Sequence, residues 1–149
     1  SKNDGPEGLR LARALAMATY RSPEEFAARF DGEAQQIDGR FQSPVESYLL
    51  SRGDAYAASY LPEAFLCLSE SIDLHRVDAT RIRVPTTLVA VRQDQLVPLS
   101  DMRALQGRLA APVRFHEVCS LYGHDAFLKE GAALRAVFEQ VLPPAKSVA

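Results

Sequence analysis

The chain has 149 residues and a mass of 16.4 kDa, with 47% hydrophobic and 24% charged side chains, a balance that supports a buried core and argues against disorder. Its net charge of −2 and pI near 5.9 leave no cationic footprint for nucleic acid. With no basic-then-apolar leader, no apolar run approaching the ~20 residues of a membrane span, and two cysteines (Cys67, Cys119) that form neither a CxxC nor a metal-binding spacing, the sequence reads as a reduced, cytoplasmic, metal-free chain.

The charge is an average of unlike halves. Residues 1–75 carry 7 basic and 12 acidic side chains, and residues 76–149 carry 10 and 7. The first half reads as helical throughout. Gly8 to Tyr20 is rich in Ala, Leu and Met, with only Arg10, Arg13 and Thr19 polar inside it, which predicts a largely buried helix. Ser22-Pro23-Glu24-Glu25 is a start signal: serine can cap, proline suits the first turn, and Glu25 can reach back to the cap amide. Asp31 to Phe41 is polar, holds Gly32 and Gly39, and reads as a loop. Ser43-Pro44-Val45-Glu46 repeats the start signal and opens a helix through about Leu50. Another helix runs from about Pro62 to Leu74, with Ala64, Phe65, Leu68 and Ile72 at helical spacing. No alternating strand pattern is found in this half.

The second half changes register. Pro85 to Val91 is a short β-branched and apolar run, suited to a strand buried on both faces of a parallel sheet. A helix follows over about Leu99 to Leu109. Val113 to Val118 alternates and reads as a second strand, nearer an edge, and a last helix runs from about Glu130 to Leu142 and ends at Pro143-Pro144. Strand, helix, strand, helix is an α/β unit. Two parallel strands are not a stable fold alone, so the chain is expected to be the back part of something larger.

In open α/β sheets, functional side chains gather beyond the carboxyl ends of the strands. The segment after the first strand delivers Asp94, and the segment after the second delivers His124, thirty positions later. That is the order of acid and histidine in the α/β hydrolases, in which histidine takes the nucleophile's proton and the carboxylate fixes its tautomer. Gly123 would let the chain turn sharply enough to present His124. Taken singly, Asp94 reads as a turn former or helix cap and Gly123-His124-Asp125 as a surface turn; their placement on consecutive strands points to catalysis. His75 reads as a helix-terminal residue and His116 as a strand side chain. Arg13 and Tyr20 lie seven positions apart, two turns on one helix face. Arg13 could meet a ligand carboxylate, pair with a nearby acid, or extend to water. Cys67 and Cys119 read as buried small hydrophobes.

These residues carry a family resemblance. Gly8-Leu9-x-x-Ala12-Arg13-x-x-Ala16-x-x-Thr19-Tyr20-Arg21-Ser22 resembles the start of the lid of the homoserine O-acyltransferases, within the α/β-hydrolase superfamily. Val45-Glu46-Ser47-Tyr48-Leu49 is similar to that family's V-x-S-Y-L lid helix, Asp94-Gln95-Leu96-Val97-Pro98 to its D-x-L-x-P acid loop, and Tyr122-Gly123-His124-Asp125-Ala126-Phe127-Leu128 to its Y-G-H-D-x-F-L histidine loop. The resemblance implies an α/β chain with a helical lid over 1–75 and the C-terminal part of an α/β-hydrolase core over 76–149. It implies Asp94 as triad acid, His124 as triad base, Asp125 as the group that holds the substrate's amino function, and Arg13 and Tyr20 as further substrate contacts. It also implies acyl transfer from acetyl-CoA or succinyl-CoA, as co-substrate with no permanently bound cofactor, to L-homoserine in methionine biosynthesis. Its partners would be the N-terminal half of the same enzyme and a second copy joined through the lid.

The family's nucleophile is a serine in a G-x-S-x-G-type elbow, and no serine here has glycines at both flanking positions; Ser51-Arg52-Gly53 has a glycine on one side only. The chain is therefore expected to be a C-terminal piece, inactive alone. Two same-fold alternatives are an esterase, in which water accepts the acyl group, and a serine O-acyltransferase. A third, of another class, is a non-catalytic helical dimerisation module.

Overall fold

The chain forms two units: Pro23–Val77 with the segment that ends at Thr19, and Tyr20–Ser22 with the chain from Asp78 onward. The computed structural model describes residues 5–142, so Pro143 and Pro144 lie outside the described residues.

The first unit is built from helices α1 (Gly5–Thr19), α2 (Pro23–Arg29), α3 (Pro44–Ala57) and α4 (Pro62–Asp73). The predicted start at Ser43 is realised in its cap and its proline: the Ser43 hydroxyl accepts the Glu46 N–H at 3.2 Å and Pro44 takes the first turn. The helix it opens does not stop near Leu50 but continues to Ala57. Gly53 lies within this continuation, where α3 packs on α1 and a Cβ would collide with the Arg10 carbonyl oxygen. It is a contact glycine inside a helix, not a helix terminator. Arg10 ties the same contact with an ion pair to Asp54, and also pairs with Glu7 on its own helix. Bonding to Asp54 first, and its charge, raise the Arg10 pKa further above its ordinary value.

Packing here is largely aromatic. Phe26, Phe30 and Tyr48 are in ring contact in sequence at 5.6 and 5.0 Å, and Tyr56 stacks on Tyr60 at 4.9 Å. Helix α1 is not largely buried as expected: Leu9, Ala14 and Met17 are, but Leu15 is 69% exposed and Leu11 is also open. Within this unit its main packing is on α3 and, less, on α4. The expected loop at Asp31 to Phe41 is corrected as well. It contains a two-stranded antiparallel hairpin, β1 (Gln35–Ile37) and β2 (Arg40–Gln42), with Ile37 opposite Arg40. Asp38 and Gly39 both have positive φ, 50° and 79°, the backbone of the tight hairpin turn that Asp-Gly favours.

In the second unit β3 (Thr86–Val91) and β4 (Val113–Val118) pair in parallel, joined through helix α5 (Leu99–Arg108). Short helix α6 (Ala126–Lys129) and α7 (Gly131–Val141) follow. Strand β3 is not buried on both faces: Ala90 is buried and its neighbours are half-buried. Among the described residues β3 pairs with β4 alone, which leaves its other edge uncovered. Cys67, on α4, and Cys119 are exposed rather than buried. No helix among the described residues is long and apolar enough to cross a membrane.

Candidate active site

The parallel register sets Val91 opposite Val118, so the two strands end together and their following loops leave the sheet side by side. The Arg92 N–H donates to the Val118 carbonyl at 2.9 Å, and the Asp94 N–H turns back to the Val91 carbonyl at 3.2 Å. This immediate turn places the Asp94 carboxylate over the loop's own backbone. Oδ1 accepts the N–H groups of Leu96 (2.9 Å) and Val97 (3.0 Å), while Oδ2 lies 2.9 Å from His124 Nδ1.

The carboxylate is nearly enclosed, 9% exposed, whereas the imidazole is 32% exposed. An ionised carboxylate only accepts hydrogen bonds, so Nδ1 must donate. That fixes the neutral tautomer and leaves the Nε2 lone pair available as a base. Asp94 and His124 also line a cavity of about 210 Å³ with Val97, Met102 and Phe127.

His124 sits in a 3-10 turn, Gly123–Asp125, that no other residue type at position 123 would allow without strain. Gly123 has φ +56°, and a Cβ there would meet the Ser22 nitrogen at 3.0 Å and the Tyr20 oxygen at 3.2 Å. This close approach attaches Tyr20–Ser22 to the second unit. The Asp125 N–H donates to the Tyr20 carbonyl (3.2 Å), the Ser22 hydroxyl to the Leu121 carbonyl (2.6 Å), and the Gln95 amide to the Arg21 carbonyl (3.4 Å). Consequently the Tyr20 ring centroid lies 5.7 Å from the imidazole, with Phe127 edge-on at 6.0 Å.

Of the residues singled out in the sequence, Asp94, His124, Tyr20 and Asp125 therefore meet within one unit. The Asp125 carboxylate lies 3.5 Å from Arg21 Nε, with both side chains largely buried. Arg13 belongs to the first unit, where its guanidinium lies 5.0 Å over the Tyr56 ring. Sequence reasoning missed Arg21, Gln93 and Ser120. Arg21 stood beside Tyr20 in the quoted motif but offered no partner by spacing, and nothing in the local pattern marks Gln93. Ser120 is buried between a strand end and the histidine turn, a place where a polar side chain must find partners. Among the described residues no group of three or more His, Cys, Asp or Glu side chains could hold a metal ion.

No family model matches the chain. It is 46% identical over 135 residues to a homoserine O-succinyltransferase of Xanthomonas campestris pv. campestris, covering 91% of this chain and 37% of the relative. It is 33% identical over 151 residues to a homoserine O-acetyltransferase of Thermus thermophilus, covering 95% and 37%, and 31% identical over 160 residues to that of Pelobacter propionicus, covering 97% and 43%. Its fold matches the crystal structure of homoserine O-acetyltransferase from Bacillus anthracis with a TM-score of 0.75 at 14% identity, over 95% of this chain and 43% of that one. The chain thus spans well under half the length of the proteins it matches. Within that span, sequence and fold agree: nearly the whole chain is similar to homoserine O-acyltransferases, and its fold is that of part of an α/β hydrolase.

Proposed function

We propose that the intact protein transfers an acetyl or succinyl group from acyl-CoA to the hydroxyl of L-homoserine, in methionine biosynthesis, and that this chain supplies the acid and the base. The observation that carries this is the 2.9 Å contact between Asp94 Oδ2 and His124 Nδ1, with Asp94 Oδ1 held by two backbone N–H groups. The nucleophile is a serine from the part of the family's length that this chain does not span.

In the first half-reaction His124 Nε2 takes the proton of that serine as its oxygen attacks the thioester carbonyl. The proton then passes to the departing CoA sulfur, leaving an acyl-serine. In the second, Nε2 takes the proton of the homoserine hydroxyl, which attacks the ester; the proton returns to the serine oxygen as the C–O bond breaks. Asp94 stabilises the imidazolium twice in each cycle and is not itself protonated. Water must be kept from the acyl-serine, and a helical lid formed by the first half is a means to do so.

Asp125 holds the acceptor's ammonium group, an opposite-charge contact one residue from the base. Arg21 already orients the carboxylate from one side. Tyr20 lies beside the imidazole, and Arg13 pairs with the acceptor's carboxylate. Among the relatives named above, the one at 46% identity carries the succinyl name, so succinyl-CoA is the first donor to assay. The proposed setting is a cytoplasmic homodimer joined through the helical unit.

The test is Asp125→Ala in the intact protein. The Michaelis constant for homoserine should rise about tenfold or more while that for acyl-CoA stays within about twofold, a loss of one charge-assisted contact. A rise confined to acyl-CoA would assign Asp125 elsewhere. Hydrolysis of acyl-CoA at the same rate with and without homoserine would make the protein an esterase.

A further inference from the structure

The two loops that bring Asp94 and His124 together are joined a second time, by a side chain with no part in the reaction. Gln93 immediately precedes Asp94. Its amide oxygen accepts the Ser120 N–H at 2.9 Å, and its amide nitrogen donates to Cys119 Sγ at 3.0 Å. Both partners lie in the segment between β4 and the histidine turn. Ser120 is itself buried and doubly engaged: its hydroxyl donates to the Glu130 carboxylate at 2.7 Å and accepts the Tyr122 N–H at 3.1 Å. A continuous run of hydrogen bonds therefore leads from the residue before the acid to the residues on either side of the histidine turn.

We propose that Gln93 is a positioning residue: its amide clamps the acid loop to the histidine loop and so sets the Asp94–His124 distance. The physical reason is one of degrees of freedom. The Asp94–His124 bond closes two loops that the sheet holds only at their roots, at Val91 and Val118. That one hydrogen bond fixes a distance at the far end, and the Tyr20–Ser22 segment, bonded to Gln95 on one loop and to Leu121 and Asp125 on the other, bridges the loops only indirectly. The Gln93 amide adds two further points between the same loops, one at a backbone donor and one at a side-chain acceptor. Its main point is the acceptor it offers the Ser120 N–H, which a hydrocarbon of the same length lacks, with the donor to Cys119 Sγ as an added tie. Glu130 serves the clamp from behind by holding the Ser120 hydroxyl. An unclamped pair samples longer separations, and displacements of this size at reacting groups cost rate rather than affinity.

The proposal rests on reading Asp94 and His124 as the acid and base of a triad, and its test has a readout that does not require acyl transfer. In the intact protein the His124 Nδ1 proton, hydrogen-bonded to Asp94, should give a downfield imidazole resonance that disappears in His124→Gln. In Gln93→Leu that proton should exchange with water about tenfold faster, while Gln93→Glu, which keeps the acceptor for the Ser120 N–H, should stay within about threefold of the parent. In the acyl-transfer assay Gln93→Leu should lower kcat about tenfold with both Michaelis constants within about twofold, and Gln93→Glu should recover most of the loss. Should Gln93→Leu fail to fold, Gln93→Asn, one methylene too short to reach Ser120, is read in its place with the same expectation. Exchange within twofold of the parent in the folded variant overturns the clamp. Failure of the parent to show the resonance overturns the Asp94–His124 pair and the clamp with it. A parent that shows the resonance but transfers no acyl group overturns the proposed function alone, and the exchange rates still decide the clamp.

Discussion

The two units of this chain are held by different means. In the second, position is set by backbone: Asp94 is fixed by the N–H groups of its own loop, Gly123 lies against the main chain of Tyr20–Ser22, and Gln93 reaches the N–H of Ser120. In the first, position is set by side-chain bulk, with helices packed through aromatic rings and arginine faces, such as Arg29 over Tyr48 at 4.7 Å. It leaves large apolar side chains open, including Leu15 and Ile72. Chemistry that requires two groups within hydrogen-bond distance is found where main-chain donors converge, because side-chain packing alone tolerates shifts of an ångström that such a pair does not.

Substitutions should separate these two kinds of support. The largest effect is expected at the acid. Asp94→Asn keeps the shape but offers Nδ1 an amide, and by analogy with other triads kcat should fall about 10⁴-fold. A loss below about tenfold would remove Asp94 from the mechanism. Gly123→Ala adds a Cβ at φ +56° against the Ser22 main chain. A left-handed penalty and overpacking together should destabilise the protein by roughly 2–5 kcal/mol in a denaturant titration, with the Asp94–His124 resonance lost as well. Gly53→Ala meets the Arg10 carbonyl in the other unit. It should cost about 1–3 kcal/mol while leaving that resonance in place, since the fault lies between two helices of the first unit. An equal effect of the two glycine substitutions on the resonance would erase the distinction between the units. The smallest effect is expected for Ser43→Ala, where loss of the cap on Glu46 should cost about 1 kcal/mol and leave kcat unchanged.

How far the sequence carried followed the same division. Elements declared by local chemistry were legible: the Ser43-Pro44 start, strand Val113–Val118, and an Asp and a His delivered by neighbouring strand ends. Features that depend on what packs against what were not. Leu11 and Leu15 read as core from composition, but a helix is buried only on the faces that have neighbours. Gly53 was compatible with a helix interior, yet its purpose is a crossing with α1 that no local pattern reports. The Asp38-Gly39 hairpin carried a sequence signal that its three-residue strands were too short to support by periodicity. In the site, Asp94 and His124 were visible because strand order predicts them. Tyr20–Ser22 joins the histidine loop through carbonyl oxygens, which every residue type possesses.

The central claim is that His124, held by Asp94, moves protons in a two-step acyl transfer. The most direct measurement is the pre-steady-state release of CoA from the intact protein mixed with succinyl-CoA or acetyl-CoA in the absence of homoserine. The expected result is a burst of about one CoA per active site that is lost in His124→Gln and turns into steady release when homoserine is added. A burst of undiminished size in His124→Gln, or no burst with either donor in a parent that turns over, would contradict it.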